Sequence, residues 1–567
     1  MKTSAAIIGF VVLLGCNRSN NAGGGEDFSK LAEEFVYGSL ALSPVTATAA
    51  GYHKHNGASL DDQIDDLSQG GIEKQRAFFN DFRNRLKRIQ QDRLAPENSA
   101  DFRIIDDQIS LSLLELDTIQ SFRHNPTLYV ELAGNALNTP YMLEYAPKPD
   151  RYRAIIARMK LLPQFFENAK ANLVDSPEVW NRVARQENDG NIGLIDQTLR
   201  QNCPAELKSE FDQAATAALA ALRHFNNYLK AQLSQRTSDW RLGKDKYAQK
   251  FRYALETDAS PEQVLAEAEE QLRQIRAHMA EIAKPQTVEA ALNKIAQKHA
   301  TPDTYFDAAK RDLAEATQFV RDKKLLTLPS GANLQVIPTP EFMRGIYAVG
   351  GFNPAPALEP QLGAYYWITP IPKNWPKERI ESKLREYNFY GLKLLTVHEA
   401  MPGHYVQFEF ADQVQPKTRR LVRSVFGNGP YIEGWAVYAT EMMIDQGYYK
   451  DDPGMQLTWS KQLLRAVANT ILDIRMQTMG MTDQQALDLM IKDTYQEKEE
   501  ATAKLQRAQL SSCQLPTYFV GWRGWLRDRD RYRQQKGAAF QLADFHDRAL
   551  KEGAVPLPAL SPLLARQ

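Results

Sequence analysis

The chain has 567 residues, and its 69 Lys and Arg balance its 69 Asp and Glu, so no net charge points to nucleic acid or an anionic surface. With 43% hydrophobic and 24% charged residues the composition is globular, neither disordered nor membrane-embedded. The length suits about three to four domain-sized units.

The N-terminus reads MKTSAAIIGFVVLLGC. One lysine, Lys2, precedes an apolar run from Ala5 to Gly15 that is too short for a bilayer span and has the character of a signal-peptide core. The run ends in Leu13-Leu14-Gly15-Cys16, which resembles a bacterial lipobox. Residues 1–16 are then a lipoprotein signal and Cys16 the lipidated first residue of the mature chain; the plainer reading is an ordinary cleaved signal with a chance cysteine. Residues 17–27, polar and Gly-rich, suit a flexible tether. Asn17 resembles an outer-membrane sorting cue, so the expected location is the bacterial cell envelope, lipid-anchored and facing the periplasm. In such an oxidising compartment Cys203 and Cys513 either pair or stay as thiols. No C-x-x-C is present, which argues against cysteine metal ligation.

Beyond the tether most of the chain has helical periodicity. Asp27 caps a run with Phe28, Leu31 and Phe35 on one face. Amphipathic segments follow at 71–95, 150–173 and 205–235, and residues 28–240 are expected to form an N-terminal helical region. A catalytic region, 241–567, continues with a helix opened by Pro261 and closed before Pro285, then segments at 287–300, 302–320, 376–401 and 455–510. No fixed-period repeat is present, so the expected fold is mainly α, a large helical bundle with a deep cleft rather than a solenoid.

The exception spans about 325–375. Its prolines, among them Pro338, Pro340, Pro354 and Pro356, exclude long helix. NLQVIP and AYYWITP are short β-branched and aromatic runs that read as strands of a small sheet just ahead of the metal-binding helix. An exposed edge strand there would hold an extended peptide by backbone hydrogen bonds. Tyr365 and Tyr366 are candidates to line the substrate cleft, and side-chain alternation lets only one of them face it.

The helix that follows carries His398-Glu399, the opening of a zinc-protease motif whose second histidine ordinarily lies four residues after the first. Here it is His404, six residues on and about 240° round a straight helix. Pro402 lacks the N–H that the His398 carbonyl would accept, and Gly403 permits backbone angles that other residues avoid, so a kink or bulge can bring His404 back. The bland alternative ends the helix at Met401 and leaves His404 in a loop. A catalytic zinc takes three protein ligands and keeps one position open. In NGPYIEGWAVYATEMM, Glu433 lies amid Ile432, Trp435 and Ala436, where a carboxylate is costly unless it meets a cation or a metal. Glu433 is the expected third ligand; the alternatives are a solvated face or pairing with an arginine such as Arg423. Glu441, eight residues later on roughly the same face, is expected behind the ligands, orienting a histidine, unless it belongs to a solvated face. His546, in DFHDRAL, is ambiguous.

HEAMPGHYVQ, EGWAVY followed by Glu441, QLPTYFVGW, FHDRALKEGAVPLPAL and the early SPVTATAAGYHKHNGASLDD together resemble the bacterial domain-of-unknown-function family 885, over about residues 28–562. The resemblance implies a mostly α-helical zinc metallopeptidase similar in architecture to Taq-type carboxypeptidases and angiotensin-converting enzyme. It places His398 and His404 as ligands, Glu399 as the base and Glu433 as the third ligand. Tyr405 stands where the family often has a further histidine, and Ser512-Cys513 where it tends to have Pro-Gly.

On this reading one Zn2+ per chain activates water, Glu399 carries the proton to the leaving amine, and Tyr518 is the candidate donor to the oxyanion. The alternative for Tyr518 is packing beside Phe519 and Trp522. Manganese or cobalt fits His/His/Glu less well than zinc. Arg385, Arg423 and Arg523 are candidates to grip a substrate carboxylate. The expected partners are a peptide substrate and a membrane reached through the N-terminal lipid, with no nucleic acid. A catalytically silent peptide-binding lipoprotein and a zinc hydrolase of non-peptide amides or esters are the alternative functions.

Overall fold

A computed structural model describes residues 27–330, 334–339, 344 and 349–565. The signal segment, Cys16 and the tether as far as residue 26 lie outside the described residues. Helix makes up 72% of the structure and strand 3%, so the fold is mainly α. Among the described residues no helix is long and apolar enough to cross a membrane.

Asp27 caps the first helix, Phe28–Leu42, by accepting the Ser29 N–H at 3.0 Å. That helix buries Leu31, Phe35 and Val36 in a core with Phe82, Ile104 and Ile105, and the same core takes in Leu421 and Val422 from the C-terminal half. A second core joins helices Thr127–Met142, Lys148–Asn172 and Lys208–Ala231. The largest core takes in most of the chain from Trp240 to Leu564. Cys203 packs against the second core and Cys513 lies in the largest, and both are free thiols.

The early segment resembling the family folds around a hairpin, β1 (Lys54–His55) and β2 (Ala58–Ser59). It is anchored by Arg158, fully buried, whose guanidinium donates to the carbonyls of Gln63 at 2.8 Å, Ala136 at 2.9 Å, and Pro44 and Leu60 at 3.2 Å, and to Thr48 Oγ1 at 2.7 Å. His53 bridges Asp61 at 2.9 Å and Glu359 at 3.2 Å, joining this segment to the loop ahead of the last strand.

Two long helical segments expected from periodicity are broken. Segment 376–401 divides into Lys377–Glu386 and Phe389–Glu399, because Asn388 accepts the N–H groups of Tyr390 and Gly391 and starts a new helix. Segment 455–510 divides after Pro453–Thr478, where Gly480 takes a positive φ of 68° and Thr482 with Gln485 forms a capping box. It resumes in Lys498–Leu510.

The small sheet orders its strands β3-β5-β4, with β3 (Leu334–Pro338) parallel and β4 (Gly350–Asn353) antiparallel to β5 (Ala364–Ile368). The strand carrying Tyr365 and Tyr366 is therefore central, not an edge. The edge strand facing the motif helix is β4, whose Gly- and Asn-containing sequence carries no strong strand signal. Tyr366 is fully buried, with its hydroxyl 3.1 Å from Thr396 Oγ1 on helix Phe389–Glu399. Tyr365 points to the other face, into a cavity of about 420 Å³ that Trp367, Asn353 and Phe408 also line. The two tyrosines alternate as expected, but neither lines the cavity that holds His398 and Glu399.

Candidate metal centre

The motif helix stops at Glu399, and a new helix, His404–Ala411, begins at the second histidine. His404 is thus neither on a continuous helix nor in a loop. Between the two helices the chain winds wide: Met401 N–H reaches the Thr396 carbonyl at 3.2 Å and Gly403 N–H reaches that of Val397 at 3.0 Å. Pro402, with no N–H, sits where the regular ladder would need one. Gly403 has φ −69°, so its requirement is space rather than handedness: a Cβ there would overlap the carbonyl oxygens of His398 and Val397. Trp435 Nε1 locks the turn from outside by donating to the carbonyls of Pro402 at 3.0 Å and Gly403 at 3.2 Å.

The third element is helix Gly429–Asp445, capped by Asn428, which accepts the Tyr431 N–H at 2.6 Å. It crosses helix Thr517–Lys536 at Gly434 and Gly521, where a Cβ on either would overlap the other's backbone. That close crossing sets Glu433, beside Gly434, near Tyr518, one turn before Gly521.

The result brings His398, His404 and Glu433 together. Glu433 Oε2 lies 3.4 Å from His404 Nε2 and 3.6 Å from His398 Nε2, and the rings are 4.9 Å apart and nearly perpendicular. Among the described residues this is the single group of three such donors able to hold a metal, with all ligand atoms within 4.8 Å of one another. Glu433 Oε2 is buried and has no hydrogen-bond partner. Burial alone would raise its pKa, but the two facing imidazoles outweigh that and hold it well below the ordinary carboxylate value. His404 is pulled the other way: burial lowers it and Glu433 more than restores it, leaving it raised. Arg423, the competing partner for Glu433, is instead buried against Asp101 at 2.7 Å and Glu552.

These residues fit a zinc ion. With bonds of about 2.0–2.2 Å, donor atoms of a tetrahedral shell stand about 3.3–3.6 Å apart, which is the separation of Glu433 Oε2 from each imidazole. A buried carboxylate oxygen without a hydrogen bond, facing two imidazole nitrogens, is a donor set whose chemistry suits such a cation.

Glu399 follows the first histidine at the end of its helix, and its Oε2 accepts the Phe352 N–H of edge strand β4 at 2.9 Å. A cavity of about 280 Å³ opens on His398 and Glu399 and is lined further by Gly350, Asn469, Lys504 and Tyr518. Burial, then the nearby Glu433 charge, push the Tyr518 hydroxyl up to about 12, so it is a donor throughout the neutral range.

Glu441 stands elsewhere. It accepts Trp522 Nε1 at 2.6 Å and bonds to neither histidine. Eight residues rise about 12 Å along a helix, which removes it from the histidines although the face is similar. The residue behind His404 is Gln407, whose Oε1 lies 3.5 Å from Nδ1 and whose amide donates to the Tyr431 carbonyl at 3.3 Å, leaving Nε2 toward Glu433. Its only sequence signal is its place three residues along the same helix. His546 is a satisfied core histidine between the Leu325 carbonyl at 2.7 Å and the Tyr438 hydroxyl at 2.8 Å, pushed down to about 4 by burial. The arginines expected to grip substrate are otherwise engaged: Arg385 with Asn293 and Glu497, Arg523 with Glu267, and Arg423 as above.

The family model described as a bacterial protein of unknown function (DUF885) matches residues 44–564. A solved candidate lipoprotein of unknown function from Shewanella oneidensis is 29% identical, with a TM-score of 0.81 over 95% of this chain and 100% of its own. A second candidate lipoprotein, from Colwellia psychrerythraea, is 19% identical and has a TM-score of 0.78 over 95% and 98%, a likeness of fold alone. No curated protein matches.

Proposed function

The chain belongs to the bacterial DUF885 family, and from that premise we propose that it is a zinc-dependent metallopeptidase of the cell envelope. The observation that carries the proposal is the buried, unbonded Glu433 Oε2 facing two imidazoles beside a cavity that also admits Glu399. The envelope location rests on the lipobox ending in Cys16 and on the description of both solved relatives as candidate lipoproteins. Outer-membrane sorting rests on Asn17.

Zinc held by His398, His404 and Glu433 supplies Lewis acidity toward a water and a scissile carbonyl. The rest falls to the chain. Glu399, steered by the Phe352 N–H on one oxygen, keeps the other free to take a proton from the attacking water and return it to the leaving amine as the C–N bond breaks. Tyr518 offers its hydroxyl to the carbonyl oxygen as charge develops there, a contribution of about 2.7–4 kcal/mol for one such donor. Gln407 holds the His404 ring in one orientation.

Metal content of the purified mature protein, beside a His404→Ala variant, tests the site. The expected result is about one zinc per chain in the parent and near none in the variant. A mixed-peptide digest then tests turnover, with Glu399→Gln expected to keep zinc and lose cleavage. Zinc without cleavage in the parent would favour a peptide-binding lipoprotein, and cleavage of acyl esters alone a non-peptide hydrolase.

A further inference from the structure

The cavity beside the metal centre contains a charge that the peptidase chemistry does not use. Lys504, on helix Lys498–Leu510, is 9% exposed and lines that cavity with His398, Glu399 and Tyr518. Its amine has no hydrogen bond or ion pair among the described residues; its charged neighbours act only at a distance. The other cations divide into two kinds. Arg465 is neutralised, with Glu386 at 3.4 Å and a bond to Glu500. Arg507, at the rim, donates to Gln514 Oε1 at 2.9 Å and approaches the Tyr518 hydroxyl at 3.5 Å, with no carboxylate against it among the described residues. Asn469, 5% exposed, adds a second unpartnered group to the same wall: its Oδ1 is buried with no hydrogen bond.

An amine that opens on the cavity without a partner, a rim guanidinium without an acid and a buried amide oxygen without a donor are left unmatched by the fold. Together they are complementary to a carboxylate and the N–H next to it, which is the C-terminal end of a peptide. We propose that this cavity receives the C-terminal residue of a substrate with a free α-carboxylate, bound by Lys504 and Arg507, with Asn469 Oδ1 accepting the N–H of that residue. The site then selects short peptides from their carboxyl end. The inference rests on the metallopeptidase reading, since it places the scissile carbonyl toward Glu399.

Calorimetric titration of the zinc-loaded Glu399→Gln protein, which removes turnover from the measurement, tests it with N-acetyl-trialanine and its C-terminal amide. The free acid is expected to bind about 10- to 100-fold more tightly than the amide. That preference shrinks when Lys504→Met is added and is lost when Arg507→Gln joins it, with amide affinity unchanged, and it returns in part with Lys504→Arg, which keeps the charge. Equal affinities, no binding of either peptide, or a preference undiminished by Lys504→Met overturns the proposal. Cleavage by the unsubstituted zinc-loaded protein is followed with the same two peptides. Cleavage without a binding preference leaves the peptidase reading standing and the carboxylate site refuted; a preference without cleavage does the reverse.

Discussion

Arg158 and Lys504 are both buried cations, and they sit in regions that treat burial in opposite ways. Around the N-terminal hairpin, Arg158 spends its guanidinium on four carbonyls and a hydroxyl, so none of its nitrogens is idle. Beside the candidate metal centre, and among the described residues, Lys504 has no partner, Asn469 Oδ1 has none, and Glu433 Oε2 has only two imidazole nitrogens beyond hydrogen-bond geometry. Native proteins satisfy nearly all buried polar groups, so a cluster of exceptions marks where something from outside completes the set. The contrast is between the two cations: folding supplies every partner of Arg158 and none of Lys504 among the described residues.

The sharpest way to separate the two regions is to disable one and leave the other. Glu399→Gln should lower peptide turnover by about 10²–10⁴-fold with zinc content and melting temperature near those of the parent, because Gln keeps the acceptor for the Phe352 N–H but cannot take a proton. Steady-state kinetics and thermal unfolding on one preparation check both halves. Arg158→Met is the converse. It strands the carbonyls of Pro44, Leu60, Gln63 and Ala136 in a dry interior, and the expected loss is about 3–5 kcal/mol of stability by urea unfolding. Whatever folded protein remains should bind zinc normally. If Arg158→Met left stability unchanged, the network would not be the anchor of the N-terminal segment.

Lys504→Met should move stability upward, because it removes an unsatisfied charge; about 1–4 kcal/mol is the range for exchanging buried ionic groups for apolar ones. The pH dependence identifies the cause. Burial, then the charges of Arg465 and Arg507, push the amine down to about 7 against the opposing pull of Glu500 and Glu433, whereas in the unfolded chain it titrates at about 10.4. Between those values the unfolded chain holds a proton that the folded one lacks, so the stability of the parent rises with pH across that window. The advantage of Lys504→Met is therefore fullest at and below about pH 7 and fades toward pH 10. A constant advantage across that range would assign the gain to packing instead.

How far the sequence foretold this contrast depends on what each residue type can reveal alone. The mainly α fold follows from apolar periodicity, and the convergence of His398 with His404 was legible because Pro402 and Gly403 mark where the helix must break. The reason for Gly403 was not legible, since overlap with the His398 carbonyl exists only once the turn is wound. Helix breaks at Asn388 and Thr482 carry cap residues that a long apolar period conceals. Lys504 was hidden more deeply. In KEEATAKLQRAQL it reads as one more lysine on a solvated helix, and only the cavity wall formed with Glu399, Asn469 and Tyr518 takes it out of water. Tyr366 failed for the matching reason: strand order decides which face is interior, and strand order is not written in the strand.

The smallest effect is expected at Cys513, five residues before Tyr518 in the turn ahead of its helix. Cys513 takes φ 63°, the left-handed conformation that favours glycine, and its N–H is held by Asp473 Oδ2 at 2.8 Å. Asp473 also accepts the Tyr247 hydroxyl at 2.6 Å, so the turn is fixed by bonds that do not involve the thiol. Cys513→Gly relieves about 1–2 kcal/mol of backbone cost. It also forfeits a buried side chain and frees the unfolded chain, each a comparable loss. The net change in urea unfolding should stay within about 1 kcal/mol, and kcat/KM should not change, because the Asp473 bonds still set the approach to Tyr518. A fall in kcat with stability intact would mean that the Cys513 side chain, rather than the backbone turn, positions the Tyr518 hydroxyl.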